Sequence, residues 1–311
     1  MHPEAQSQFR KYQNTPLLKG AIRTFTLASK ILPLRFMKIS AFFIILIFIA
    51  LNHKNFKYIM MNISHIHPEA GLIKRALSAY RVFLNYSFYL IDLFFLSHGA
   101  NRLKNYTIEI YGEENLSELI KKNSGFILLT LHMGNWEIAS AVLSGKNVKS
   151  HVVYSPDSEG TIEYNRRALR DIFHVHDIPL NKGNFFSIRL LNTLRERGVV
   201  AFQGDRLMGD SGVEVEFFGA MASFPKGPVV LGMVSQVPIL PVFCTMKGYH
   251  GYVLSIEKPY YVQLHTTRDE TIKRALEDIV KIFEKYVLQY AEQWYSFMPF
   301  WKENETETHI S

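Results

Sequence analysis

The chain has 311 residues, 48% of them hydrophobic and 20% charged, so it can bury a sizeable core and wholesale disorder is excluded. Lys and Arg number 35 against 28 Asp and Glu, a formal charge of +7 that favours an anionic partner: a membrane surface, an acidic protein, a phosphorylated substrate or nucleic acid. The single cysteine, Cys244, excludes an internal disulfide and any cysteine-built metal cage, leaving chemistry to His, Asp, Glu, Ser, Lys or Arg.

Ile39 to Leu51 (ISAFFIILIFIAL) is the one long apolar run. As a helix it would extend about 20 Å, short of a hydrocarbon core about 30 Å thick. Lys19, Arg23, Lys30, Arg35 and Lys38 precede it, and His53, Lys54 and Lys57 come after it. Arg35 and Lys38 are expected to snorkel toward head groups. Basic flanks on both sides suit a helix embedded in one leaflet, with a buried core helix as the alternative. From Leu72 to Leu103, apolar residues at 72, 76, 79, 82, 83, 86 and 90 predict one or two amphipathic helices, packed on the body or on the membrane. Residues 1–104 therefore read as a helical membrane-attachment region.

At Tyr106 the pattern changes. Strands are predicted at Tyr106–Tyr111, Phe126–Leu131, Val148–Tyr154, Val199–Gln203, Val213–Phe218, Ile239–Cys244 and Tyr252–Ile256. Helices are predicted at Glu137–Leu143, Tyr164–Phe173, Phe186–Arg197, Gly227–Ser235 and about Asp269–Tyr290. This alternation over residues 105–301 predicts an α/β domain with a mixed, mostly parallel sheet flanked by helices. Residues 302–311 read as a loose polar tail. Active sites in such sheets gather beyond strand ends, which directs attention to the residues just after Leu131 and Gln203.

Directly after the apolar strand FILLTL comes His132-Met133-Gly134-Asn135-Trp136-Glu137. A His at a strand end, a glycine turn and a helix start place imidazole and carboxylate near one another. Glu137 is expected to accept from one ring nitrogen of His132, leaving the other as a general base. The alternative is structural: Asn135 as an N-cap, Glu137 on the helix dipole, and His132 as a hydrogen-bonded loop residue.

The H-x-x-N-W-E stretch resembles the first motif of the bacterial lipid A late acyltransferases, within the lysophospholipid acyltransferase superfamily. Gly198 to Arg206 (GVVAFQGDR), Val215 to Gly219 (VEFFG), Phe224 to Pro228 (FPKGP) and Val237 to Val242 (VPILPV) resemble later family segments in the expected order. The resemblance runs from Tyr106 to Trp301 and implies a glycerol-3-phosphate acyltransferase-like fold. It also implies acyl transfer from a thioester, acyl carrier protein or acyl-CoA, to a hydroxyl of a lipid-linked acceptor such as a lipid A precursor. His132 would be the base and Glu137 its partner. Backbone donors near Gly134 or Asn135 would hold the oxyanion, and no cofactor or metal is needed. Asn135, Arg167, Arg170, Asp205, Arg206 and Lys226 are the substrate-binding candidates, with Arg166 on the same predicted helix. The implied location is the inner membrane, with the catalytic domain on its cytoplasmic face. Asp205-Arg206, together with Gln293 to Trp301 (QWYSFMPFW), departs toward a branch associated with aryl-polyene lipids.

Other classes find less support. His174-x-His176-Asp177 and His65-x-His67 invite a metal, but neither comes with a convincing third ligand, and surface histidines are the favoured reading. There is no phosphate-binding loop and no basic–aromatic repeat of a nucleic-acid module. A non-catalytic lipid-binding scaffold, or a hydrolase using the same His–Glu pair on water, stays open as an alternative.

Overall fold

The computed structural model describes residues 24, 27–146, 148, 150–154, 161–180, 185–207 and 212–301. The expected tail at 302–311 lies outside these residues, as do Lys19 and Arg23.

After helical residues 27–31 come three named helices: α1 Leu34–Leu51, α2 His53–Ile66 and α3 Leu72–Leu96. The predicted one or two helices after Leu72 are one helix of 25 residues followed by a 3-10 turn at Ala100–Asn105. Helix α1 buries Leu34, Met37, Lys38, Ala41 and Ile45, a stripe at helical spacing that lies on α3. Its opposite face, with Phe36, Ile39, Phe43 (72% exposed), Ile47 and Leu51, is apolar and open. Lys38 departs from expectation. Its position on the inward stripe, between Met37 and Ala41, turns the ammonium away from any head group. It is 1% exposed and bonds Asp92 (2.9 Å) and the Tyr249 carbonyl (2.7 Å).

The body then alternates: β1 Thr107–Tyr111, α4 Glu113–Lys121, β2 Phe126–Thr130, α5 Trp136–Ser144, β3 Ser150–Tyr154, α6 Thr161–Ile172 and β4 His176–Pro179. It continues with α7 Phe185–Arg195, β5 Val199–Gln203, the hairpin β6 Gly212–Phe217 and β7 Ala220–Pro225, α8 Gly227–Ser235, β8 Ile239–Lys247, β9 Gly251–Ile256 and α9 Arg268–Gln289. Helix α4 and strands β4 and β7 had no predicted counterpart; β4 is four residues long, and α4 carries only a short apolar face.

Seven strands form one sheet in the order β1-β9-β8-β2-β5-β3-β4. β8, β2, β5, β3 and β4 run parallel, while β9 and β1 run the other way and meet β8 in the sheet's antiparallel junction. The mixed, mostly parallel sheet expected from the alternation is what the chain builds. β2 is buried along Phe126–Leu129, as an all-apolar strand covered on both faces must be. Cys244 lies within β8, fully buried, and burial pushes its thiol far up, out of nucleophilic range. Helix α9 begins at an N-cap, with the Thr267 hydroxyl accepting from the Glu270 amide at 3.2 Å.

The C-terminal strip from Gln293 to Trp301 ties the helical region to the sheet. The Asn62 amide on α2 donates to the carbonyls of Ser296 (3.0 Å) and Met298 (2.8 Å) and accepts from the Phe300 amide (3.0 Å). Trp301 stacks on His65 and on Phe217 of the hairpin. Helices, sheet and hairpin therefore share one core.

Candidate active site

Strands β2 and β5 are neighbours, parallel and in register from Phe126↔Val199 to Thr130↔Gln203. His132 lies two residues beyond the end of the first, and Asp205 lies two beyond the end of the second. The matched register therefore delivers both side chains to the same edge. The His132 Nδ1–H donates to Asp205 Oδ1 at 2.7 Å, and the His132 backbone amide donates to both carboxylate oxygens at 3.2 and 3.1 Å. Trp294 Nε1 donates to Oδ2 at 2.9 Å. Asp205 is thus saturated and 3% exposed, whereas the His132 ring keeps 14% of its surface open. Nδ1 carries the proton in this arrangement, and Nε2 has no hydrogen-bond partner among the described residues.

The loop that carries His132 is held from both sides. Gly134 sits at φ +57, and a Cβ there would lie 1.9 Å from the Cys244 carbonyl oxygen, so only glycine fits. The Gly134 amide donates to Gln293 O (2.9 Å), and the Tyr295 amide donates to His132 O (2.8 Å). The C-terminal strip is laid along the loop like a strand. Gln293 fixes that strip to the end of β8 by a two-way amide bond with the backbone of Met246 (2.7 and 3.0 Å).

Charge favours a neutral imidazole next to an ionised carboxylate. Burial, reinforced by the positive charge of Arg206 and by that of Arg166, lowers the His132 pKa to about 4 against the opposing pull of Asp205. Burial works to raise Asp205, but the charge and hydrogen bond of His132, with Arg206 and Trp294, outweigh it and hold the carboxyl at about 2.

The partner expected for His132 was Glu137, and the structure assigns Glu137 elsewhere. Its carboxylate meets Arg170 (Oε1 to Nη2 3.0 Å, Oε2 to Nε 3.4 Å) and accepts from Trp136 Nε1 at 3.2 Å. Asn135 caps α5 by accepting from the Ile138 amide (3.2 Å), and the first turn of that helix carries Glu137 toward α6. Asn135 is spent as a cap, its amide turned to Tyr252 (3.3 Å), and is not open to substrate. The oxyanion donors expected at Gly134 and Asn135 are likewise occupied, by Gln293 O and by Cys244 O at 2.8 Å.

The three arginines of α6 part company. Arg170 is buried and bonded to Glu137 and to Asp177 (2.8 Å), so it is a strut. Arg167 is 54% exposed and lies against Glu163 (3.3 Å) and the Tyr154 hydroxyl (3.3 Å). Arg166 donates to the Tyr89 hydroxyl (3.1 Å), lies over the Tyr89 ring, and is the one whose charge is felt at His132. Arg206 acts on both members of the pair while donating to Tyr295 O (3.0 Å). Lys226 is exposed at the start of α8 and makes no bond to the pair among the described residues. The sequence pattern gave Trp294 no role, although its indole completes the carboxylate. No local spacing could reveal it, because it reaches the site from the far end of the chain. His176 meets His151 with ring centroids 5.0 Å apart and the rings tilted, and no group of three or more His, Cys, Asp and Glu is placed to hold a metal among the described residues.

A neutral imidazole with a free Nε2 and an ionised carboxylate behind it can take a proton from a hydroxyl and stabilise the imidazolium that results. Relatives carry names that fit such chemistry. The phosphatidylinositol mannoside acyltransferase of Mycobacterium tuberculosis is 26% identical over 211 residues, covering 64% of this chain and 61% of that protein. Its namesake in Mycolicibacterium smegmatis is 24% identical over 234 residues, covering 74% and 72%. The chain thus spans less than two thirds of the length of the first of these relatives. Among solved structures, the 1-acyl-sn-glycerophosphate (LPA) acyltransferase PlsC from Thermotoga maritima aligns over 86% of this chain and 98% of its own, at 16% identity and a TM-score of 0.37. The family model described as bacterial lipid A biosynthesis acyltransferase matches residues 23–303, nearly the whole chain, and this protein belongs to that family.

Proposed function

We propose that this protein moves a fatty acyl group from an acyl thioester to a hydroxyl of a membrane glycolipid, with His132 as general base and Asp205, in place of Glu137, as its partner. The observation that carries the reading is the 2.7 Å bond between His132 and Asp205 at the exit of two adjacent parallel strands. Nε2 removes the proton of the acceptor hydroxyl as its oxygen attacks the thioester carbonyl. The tetrahedral intermediate collapses with cleavage of the C–S bond, and the departing thiolate takes the proton back from Nε2. The ester gains what the thioester loses, and no acyl-enzyme forms. Arg206 and Arg166 supply positive charge beside the base for the oxyanion or an anionic acceptor.

The family description supports a lipid A precursor as acceptor, and the relatives' names support a mannosylated phosphatidylinositol; both offer a sugar hydroxyl on an anionic lipid. An excess of seven positive charges suits an acidic carrier protein as donor, with coenzyme A the alternative thioester. Helix α1 is apolar enough to enter a membrane, yet one side is packed on α3 from Leu34 to Ile45. That side is closed to lipid, so the open Phe36–Leu51 face is read as lying in one leaflet, with the catalytic body on the cytoplasmic side of the inner membrane. A non-catalytic lipid scaffold would have no use for a carboxylate-paired imidazole with a free Nε2.

The test incubates the full chain in phospholipid vesicles with acyl carrier protein and coenzyme A thioesters and candidate glycolipids, followed by mass spectrometry and thiol release. One acylated lipid should form per thiol freed, and His132→Ala should lose at least a thousandfold in rate. Thiol release with free fatty acid alone would make the protein a thioesterase.

A further inference from the structure

One charged side chain is buried within α1, and its bonds lead to the catalytic loop. Asp92, the one acidic residue of α3, accepts from Lys38 Nζ (2.9 Å), from the Tyr106 hydroxyl (2.7 Å) and from the Tyr252 hydroxyl of β9. Lys38 spends a further proton on Tyr249 O (2.7 Å). The Tyr252 hydroxyl in turn accepts from the Asn135 amide (3.3 Å), whose oxygen caps α5 three residues after His132. Lys38, Asp92, Tyr106, Tyr252 and Asn135 are all buried, and none of their polar side-chain atoms lacks a partner.

A satisfied buried ion pair adds little stability over apolar side chains of the same shape, but it is demanding about geometry. Elsewhere the α1–α3 contact is mostly apolar, with rings such as Phe42 on Phe88 and Phe48 near Phe83 and one neutral bond from the Tyr80 hydroxyl to Phe42 O (3.3 Å), and so little polar pairing leaves room for sliding and rotation. Lys38 on Asp92 removes that freedom. It fixes which face of α1 is turned outward, and the hub's other arm fixes the cap of the helix just after His132.

We propose that Lys38, Asp92 and Tyr252 are positioning residues for catalysis: the Asp92 hub transmits the seat of α1, the helix whose outer face meets the bilayer, to the loop that holds His132. This rests on His132 being the base. Tyr252→Phe cuts the hub from Asn135 and leaves Lys38–Asp92–Tyr106 intact. Lys38→Met with Asp92→Asn removes the charged peg and keeps polar partners for both tyrosines.

In vesicles, amide exchange of residues 132–138, thermal melting and steady-state rates are measured on the full chain. Both variants should melt close to wild type and bind vesicles. Exchange of 132–138 should rise about tenfold, and kcat should fall about tenfold with the KM for the thioester unchanged. Wild-type exchange and kcat in either variant would reduce the hub to a structural plug and overturn the proposal. Exchange is read whether or not acyl transfer occurs, so failure of the transferase reading and failure of the coupling are separate results.

Discussion

The tip of β5 and the first turn of α5 each bring a buried carboxylate to the neighbourhood of one loop, yet Asp205 holds an imidazole and Glu137 holds a guanidinium. Chain distance favours the wrong one. Glu137 is five residues from His132, but the Asn135 cap starts a helix that turns it onto Arg170. Asp205 is far along the chain, but β2 and β5 are paired in register, so the second residue past each strand end meets the other. In a parallel sheet, neighbouring strand exits bring distant residues to one edge, whereas a residue carried into the helix that follows is turned away from it.

The sharpest way to break this contrast is to neutralise each carboxylate in turn. Asp205→Asn should cost roughly a thousandfold in kcat, because it loses both the Nδ1–H orientation and the charge behind the imidazolium. Glu137→Gln should cost about tenfold, through a loosened α5–α6 contact. Equal losses in a rate assay would mean that Glu137 takes part directly.

Stability should sort the two sites the other way round. Glu137→Ala strands the Arg170 charge with the half-exposed Asp177 and should lower stability by about 3 kcal/mol; adding Arg170→Met should recover most of it. Denaturant titration of both variants checks this, and no recovery in the double variant would show that the pair does more than neutralise itself.

Protonation gives the next effect. His132 sits at about 4 in the folded chain against an ordinary 6.5, so between these values the unfolded chain binds the extra proton. Stability should therefore be complete above pH 6.5 and fall as pH drops toward 4, by roughly 3 kcal/mol from this residue. His132→Gln should flatten that slope, and the low-pH limb of the wild-type rate should be centred near pH 4. A limb at 6.5 would mean that the imidazole is solvated.

The same rate assay separates the arginines. Arg167→Ala, at an exposed position away from the pair, should change turnover less than twofold. Arg166→Ala should reduce it about a hundredfold by withdrawing charge from beside His132.

Much of the frame was legible because it is written in local patterns. The buried strand ending before His132, the alternation of strands and helices, the apolar N-terminal helix and the core character of Cys244 are all given by period and composition over short windows. The Asn135 cap was visible too, as the structural alternative beside a catalytic reading. Tertiary structure decided which partners those residues meet. Trp294 on Asp205, Lys38 turned inward to Asp92, and Arg166 rather than Arg167 or Arg170 acting on His132 depend on strand order and on the face each helix buries. Propensity and periodicity act over a few residues, so they determined that a histidine would stand at the end of a strand. Which carboxylate stands behind it depends on how the strands are ordered, and that order is set only when the whole core packs.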